Sequence, residues 1–498
     1  MNHTQGRYRW LCLGGVLSAL LVFGFAVLLL GRTPGRPRAI ILISIDTLRP
    51  DHLGVYGYSR PTSPFMDKFA ETATVFEHAT STSSWTLPAH ISLMVSRYSA
   101  DHGVHTPQQR LRSGATTLAH SLRSAGYRTG GFYSSQLLSQ IHGFAQGFDH
   151  YVRPEIENEV SPGAAINQAA LAWIDGGQEP FFLFLHYFDV HAPYRQRRPG
   201  RASFADQLDG PNADYAELAG RVAERYLMSH DVDTSGLDWR FPRTGFGRAK
   251  KRLELMTDDP QEQHLFLHHY LLNRGLTDDE QKRVISLYDD GVAHQDFLIE
   301  QLAIGLEARG LLDDAMIWIV SDHGEMLYDH HGHRDHTYYL NQSVTAIPMI
   351  VRLPGQTAPR RVSSPPVSLV DVMPTILDMA GLEPFGQGTS LRRLLEGTGQ
   401  LDTRSLPVQV AFDGTFRRSL LRWPWKLIID DSGDQAERLY NLERDPNERN
   451  DVAEEHADLV DELAADLRRR TDVPGDLAAT CAIEAEETEE LRALGYLR

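Results

Sequence analysis

The sequence predicts an α/β fold, a large parallel or mixed sheet sandwiched between helices, with a small C-terminal α+β subdomain and an N-terminal transmembrane helix. Three apolar runs carry the prediction: Ala39-Ile40-Ile41-Leu42-Ile43-Ser44-Ile45, Phe181-Phe182-Leu183-Phe184-Leu185 and Met316-Ile317-Trp318-Ile319-Val320. Each is continuous rather than alternating, the pattern of a strand covered on both faces. Helical stretches ending in glycine separate them, the alternation that builds such sheets. An acid or a histidine follows each of the three runs.

The chain has 498 residues, 42% hydrophobic and 23% charged, which suits a folded protein of two or three units. A formal net charge of -17 argues against a nucleic-acid partner. An anionic substrate stays open, because a bound cation reverses the local field whatever the net charge. Two cysteines, Cys12 and Cys481, supply neither a disulfide framework nor a thiolate zinc site.

From the N-terminus, Trp10 to Gly31 is a charge-free apolar run. Its length, about twenty residues, crosses a bilayer and exceeds the roughly 7–15 of a signal-peptide core. It predicts an uncleaved single-pass anchor, with residues 1–38 as helix and linker. Arginines on both sides (Arg7, Arg9; Arg32, Arg36, Arg38) leave the positive-inside rule without a preference. The short head and large following domain place the body outside the cytoplasm, in a periplasmic or extracellular space.

The main domain is expected over 39–385. Asp46 follows the first strand directly, at the edge where ligands of such sheets gather. His186, Asp189 and His191 follow the second, and Asp322, His323 and Glu325 the third. Ser84-Trp85-Thr86-Leu87-Pro88-Ala89-His90 reads as a helix start with Thr86 as N-cap, a place that favours anions. Helices are predicted for Leu118 to Ala125, Ala164 to Asp175, Asp278 to Ala308 and Val367 to Gly381. The polar stretch from about 196 to 275 reads as an insertion, either a lid or substrate wall near the site or a solvated loop. A C-terminal subdomain over 386–475 carries a strand at Trp425 to Ile429 and a helix at Ala457 to Arg468. The acidic tail, 476–498, with Glu487 and Glu490 before Leu491 and Tyr496, is either a solvated run or a docking peptide.

Asp46, Asp322 and His323 offer two carboxylates and an imidazole, a set that suits a divalent cation such as Ca, Mn or Zn. A cation beside Thr86 would make its hydroxyl a nucleophile at neutral pH, the covalent strategy for a stable ester. His191 and the cluster His330 to His336 supply candidates for leaving-group protonation, charge stabilisation or a second metal. His186 and His333 read equally well as structural histidines.

These residues resemble the sulfatase family of the alkaline phosphatase superfamily, over nearly all of the chain after the anchor. The likeness lies in Ile45-Asp46-Thr47-Leu48-Arg49-Pro50-Asp51, Thr86-Leu87-Pro88-Ala89-His90, Phe188-Asp189-Val190-His191-Ala192-Pro193-Tyr194, Ser321-Asp322-His323-Gly324-Glu325, Asp371-Val372-Met373-Pro374-Thr375 and Leu439-Tyr440-Asn441-Leu442, in that order. It implies an alkaline phosphatase-like fold with a large mixed, mostly parallel sheet. It also implies that Asp46, Asp322 and His323 hold a divalent metal with Thr86. His191 and His336 would contact the sulfate or phosphate group or the leaving oxygen, with His330 or His331 at a further family position.

The departures narrow the chemistry. Thr86 stands in the nucleophile signature where the family has a cysteine or serine that becomes formylglycine, so no formylglycine is expected. Thr47 replaces a second metal-binding Asp, and His90 replaces an arginine. Tyr133-Ser134-Ser135-Gln136 stands where the family has G-K-x-H. A threonine nucleophile is similar to the phosphodiesterase, phosphonate-ester and phosphoethanolamine- or phosphoglycerol-transferase branches, where Asp189, His191 and His336 could complete a second metal site. The expectation is a metal-dependent hydrolase of sulfate or phosphate esters with Thr86 as nucleophile and an anionic ester as partner. Those other branches, and an inactive binding protein, are the alternatives.

Overall fold

The three apolar runs lie side by side. Strand β1 (Ala39–Ile45) pairs in parallel with β2 (Phe181–Tyr187) on one flank and with β3 (Ala315–Ser321) on the other. They form the centre of a nine-stranded sheet. Arg128–Phe132 and His150–Val152 extend it beyond β2, and Ala346–Arg352, Thr74–Thr80 and Arg360–Val362 beyond β3, with Val367–Ser368 also on Thr74–Thr80. The two ladders of Ala346–Arg352 are antiparallel and the others parallel, so the sheet is the mixed, mostly parallel one expected.

The computed structural model describes residues 36–156, 161–178, 180–194, 203–208, 218, 276–330, 334–363, 365–412, 414–432, 436–483, 487–488, 490–491 and 496. The Trp10 to Gly31 run and most of the 196–275 stretch lie outside them. Among the described residues no helix is long and apolar enough to cross a membrane.

Why the runs lack alternation is visible in the packing. Ile40, Leu42, Phe182, Phe184 and Trp318 point to one face, under helix α1 (Thr86–Val95), Leu118–Ser124 and Val372–Met379. Ile41, Ile43, Leu183, Leu185 and Ile317 point to the other, under Pro162–Asp175 and the 30-residue helix α2 (Asp278–Glu307). Each such side chain contributes about 1.5–3 kcal/mol by burial, so these two layers dominate the core. Helix starts follow their caps: Ser161 accepts from the Ala164 amide, and Thr277 with Glu280 forms a reciprocal capping box at α2.

One predicted helix divides. Within the Val367 to Gly381 stretch, Val367–Ser368 is a strand, Leu369–Asp371 a 3-10 turn, and only Val372–Met379 an α-helix. Ser368 and Asp371 form a capping box that ends the strand and starts the turn.

Leu406–Phe412, Thr415–Arg422, Trp425–Asp430 and Glu437–Asn441 make a four-stranded antiparallel meander. Helix Ala457–Thr471 covers it through Val460, Leu463 and Leu467 on Leu420, Leu427 and Leu439. Lys426 ties this meander to the large sheet: its Nζ lies 2.8 Å from the buried Glu448 Oε1 and donates to Thr345 Oγ1 at 3.0 Å. The tail docks on its own chain. Ala478–Thr480 pairs with Gln109–Leu111, Leu491 is buried in the main core, and Tyr496 is 3% exposed.

Candidate active site

Register places the acids. Ile45 of β1 pairs with Tyr187 and with Ser321, so Asp46 and Asp322 leave the carboxyl edge at one level. The Asp46 amide continues the ladder by donating to Tyr187 O at 2.9 Å. Thr47 then turns the chain with φ +58°, a left-handed conformation that costs a β-branched residue on the order of 1–2 kcal/mol. Its amide points at Asp322 Oδ1, 3.4 Å away, while its hydroxyl donates back to Asp46 O at 2.7 Å. The turn is clamped by Tyr288 of α2, whose hydroxyl donates to Thr47 O and accepts from Arg49 N.

Thr86 is not the N-cap. Trp85 holds that place in extended conformation, and the helix begins at Thr86, with Ala89 N donating to Trp85 O at 3.4 Å. Pro88 in the first turn has no N–H to be capped. The Thr86 hydroxyl instead donates to Asp46 Oδ2 at 3.1 Å and lies 3.4 Å from His323 Nε2. All of α1 is buried, which fixes the hydroxyl in place.

Asp46, Asp322 and His323 place one ligand atom each within 4.8 Å of one another. All three are fully buried. Asp46 Oδ1 and Asp322 Oδ2 have no hydrogen-bond partner, a costly state for buried carboxylate oxygens that a cation would relieve. Two carboxylates and an imidazole fit a divalent ion. Without one, burial pushes both carboxyls up to about 6, the neighbouring Asp46 adding to the rise at Asp322. Burial pushes His323 down to about 4.

Three imidazoles are oriented alike. His323 Nδ1 donates to Gly324 O at 2.9 Å, His191 Nδ1 to Ala192 O at 2.6 Å, and His336 Nδ1 to Glu325 Oε1 at 3.2 Å. Their Nε2 atoms therefore face the centre, where the His323 and His336 rings stack at 4.5 Å and His191 meets His336 at 5.3 Å. Glu325 is held by the Tyr194 hydroxyl, which donates to its Oε2 at 2.9 Å.

His90 sits beneath this group with both ring nitrogens engaged. Nδ1 donates to Thr86 O at 2.9 Å, which leaves Nε2 to accept from Ser44 Oγ at 2.9 Å. Its Nδ1 is also 3.4 Å from Asp322 Oδ2, and His186 Nε2 is 3.3 Å from Asp46 Oδ2. Asp189 does not join His191 and His336 in a ligand group among the described residues: its Oδ1 faces His294 Nε2 at 3.7 Å. His330 faces Glu448 at 3.9 Å, and His331 and His333 lie outside the described residues. Sequence reasoning gave no role to Glu325 or Tyr194, and none to Tyr496, whose hydroxyl is 3.1 Å from His336 Nε2 and 3.3 Å from His191 Nε2. Glu325 was within reach, two residues after His323. Tyr496 carried no local signal.

Residues 38–382 match the sulfatase family, and residues 329–472 match the C-terminal region of N-sulphoglucosamine sulphohydrolase. The chain belongs to the sulfatase family. It is a hydrolase of sulfuric esters by that membership. Among curated sulfatases it is 23% identical to the choline-sulfatase of Rhizobium meliloti (strain 1021) over 467 residues, covering 86% of this chain and 85% of the relative. It is 23% identical to the N-acetylglucosamine-6-O-sulfatase of Bacteroides thetaiotaomicron over 483 residues, covering 84% and 82%. The fold is shared with a solved enzyme in complex with D-glucosamine-2-N,6-O-disulfate, at a TM-score of 0.68, 21% identity, and coverage of 88% and 98%. It is shared also with the phosphonate monoester hydrolase of Agrobacterium radiobacter, at a TM-score of 0.63, 18% identity, and coverage of 88% and 96%.

Proposed function

We propose that this sulfatase-family chain cleaves sulfate esters with Thr86 as a covalent nucleophile, dependent on a divalent cation held by Asp46, Asp322 and His323. The observation that carries the reading is the Thr86 hydroxyl, fixed 3.1 Å from Asp46 Oδ2 and 3.4 Å from His323 Nε2 rather than spent on capping its helix. The cation, when bound, lowers the pKa of the hydroxyl and offsets the charge of the ester.

In the first step Thr86 Oγ1 bonds to sulfur while the bond from sulfur to the alcohol oxygen breaks. The proton lost by Thr86 is matched by the one the leaving alcohol gains, with His336 and His191 as carriers through Nε2. Glu325 fixes the His336 ring by accepting from its Nδ1. In the second step water attacks the sulfur of the threonyl sulfate and returns Thr86 and hydrogen sulfate. A threonine has no second hydroxyl to expel sulfate from carbon, so water attack on sulfur closes the cycle. His90 acts as a positioning residue, joining the Thr86 backbone to Ser44 of β1.

Phosphonate monoester hydrolases share the fold, so phosphoryl chemistry at the same hydroxyl is the second reading. The test is turnover by the full chain loaded with Mn²⁺, Ca²⁺ or Zn²⁺, on 4-nitrophenyl sulfate against phenyl 4-nitrophenyl phosphonate. Sulfate cleavage in excess, with a sulfuryl adduct on the Thr86 peptide by mass spectrometry, supports the reading. Thr86→Ala is expected to lose on the order of 10⁴-fold or more. Full activity of Thr86→Ala would remove it.

We also assign the Trp10 to Gly31 run as a membrane anchor that holds the catalytic body outside the cytoplasm, on the strength of its length and lack of charge. Retention of the full chain in membranes after alkaline carbonate washing is expected. Release into the supernatant would overturn the assignment.

A further inference from the structure

Thr86, Asp46, Asp322 and His323 are all fully buried. Tyr496 lies against the histidines of this group. Its hydroxyl lies 3.1 Å from His336 Nε2 and 3.3 Å from His191 Nε2. With both Nδ1 atoms donating, each neutral ring presents an Nε2 lone pair, so the hydroxyl donates to one of them and stands within hydrogen-bond distance of the other. Because each Nδ1 is already anchored, these two Nε2 atoms are the ones through which His191 and His336 can act on an ester. Tyr496 therefore stands on the groups the leaving alcohol would use. Its ring is also stacked on Trp85, the residue before the nucleophile, at 5.8 Å between centroids.

The ring is held by contacts remote from the chemistry. Tyr496 N donates to Leu491 O at 2.8 Å, and Leu491 is fully buried in the main core. Glu490 accepts a bidentate pair from Arg153, at 2.8 Å and 2.6 Å, both residues about a third exposed. Glu487 accepts from Gln136, in the stretch that departs from the family's G-K-x-H pattern.

We propose that Tyr496 is an internal inhibitor of the enzyme: its phenol occupies the place of the leaving alcohol, and an ester must displace it to reach Thr86. The inference rests on the hydrolase reading only for its consequence on turnover. Its structural content, one phenol excluding another, can be read without catalysis.

The probe is free 4-nitrophenol, followed by its absorbance shift on binding to the full metal-loaded chain. Tyr496→Ala empties the place directly. Glu490→Arg sets two like charges against each other at Arg153, which is expected to weaken the hold on Tyr496 without touching the site, and the exchange Arg153→Glu/Glu490→Arg restores the pair with its signs reversed. At least tenfold tighter 4-nitrophenol binding is expected in Tyr496→Ala and Glu490→Arg, with return to weak binding in the exchanged pair. On 4-nitrophenyl sulfate the same two variants are expected to show KM at least tenfold lower, with kcat within a few-fold of the parent. Equal phenol affinity in all four proteins overturns the inference, and so does a fall in kcat for Tyr496→Ala with phenol affinity unchanged. Should phenol affinity follow the expected order while no variant cleaves any ester, the inference stands and the hydrolase reading falls.

Discussion

Thr86 and the Asp46 carboxyl depend on each other, and two predictions follow from that pair. The hydroxyl is aimed by its contacts and by the stiffness of a β-branched side chain in a buried helix. Thr86→Ser keeps the oxygen but loses that stiffness. It should keep turnover within about tenfold of the parent, where Thr86→Ala loses about 10⁴-fold or more, as initial rates on 4-nitrophenyl sulfate would show. The second concerns acid stability. Asp46 and Asp322 have folded pKa values raised by burial from 3.8 to about 6, so the metal-free folded state holds protons that the unfolded chain releases. Stability from this source is fully present below pH 4 and is lost as pH rises through about 6. A shift of that size corresponds to roughly 3 kcal/mol for one group, and the two share one cluster, so they do not simply add. The metal-free protein should therefore gain in Tm at pH 7.5 from Asp46→Asn, which removes the titration, while Mn²⁺ should raise the Tm of the parent and not of that variant. A thermal melt with and without Mn²⁺ decides it, and an unchanged metal response in Asp46→Asn would count against the ligand assignment.

At the scale of elements, α2 shapes the loop that delivers His191. Gly291 lies in the middle of that helix, where an added Cβ would stand 3.2 Å from Asp189 O and 3.4 Å from Val190 Cα. An alanine there gains the usual helix preference of about 1 kcal/mol over glycine but meets that backbone, so Gly291→Ala should leave Tm nearly unchanged. Gly291→Val must push the loop, and a displacement of even an ångström at His191 should lower kcat/KM on the order of 10²-fold with the fold intact by circular dichroism. The same scale shows which features the sequence could carry. The three central strands were legible because a strand buried on both faces writes itself as an unbroken apolar run and ends in its acids. The α1 start was displaced by one residue because threonine is a better cap than tryptophan, and tertiary contacts with Asp46 outweighed that preference. Val367 to Asp371 was absorbed into a helix because its strand is two residues long and takes its partner from Thr74–Thr80, far back in the chain. His90 could be placed near the site, yet its two hydrogen bonds to Thr86 O and Ser44 Oγ depend on the packing of α1 against β1, which no local pattern records. Tyr496 lies in an acidic segment, and only the folded chain brings it to His191.

Over the whole molecule, the question is whether the C-terminal meander is an independent unit or part of the large sheet's cooperative core. Lys426 answers for the second. It is 1% exposed in the side chain, lies 2.8 Å from a Glu448 that is equally buried, and donates to Thr345 just before the Ala346–Arg352 strand. Glu448 in turn accepts from Asn341 Nδ2 and Gln342 N, at 2.9 Å and 2.8 Å. The pair thus bridges the meander to the segment that leads into Ala346–Arg352, an interior strand of the large sheet, through a fully desolvated contact. Removing one partner of a buried pair leaves the other charge uncompensated, at about 3–5 kcal/mol, whereas removing both leaves mainly a packing change. Lys426→Met should lower the calorimetric Tm by several degrees in one sharp transition, and Lys426→Met/Glu448→Gln should recover most of the loss. Two separate transitions in the single variant would show that the meander melts by itself, and the sheet would then need no help from it to hold Asp46, Thr86 and Asp322 in register. A single transition ties the geometry of the nucleophile to a side chain in the other sheet, so turnover of Lys426→Met should fall with temperature in step with the melt.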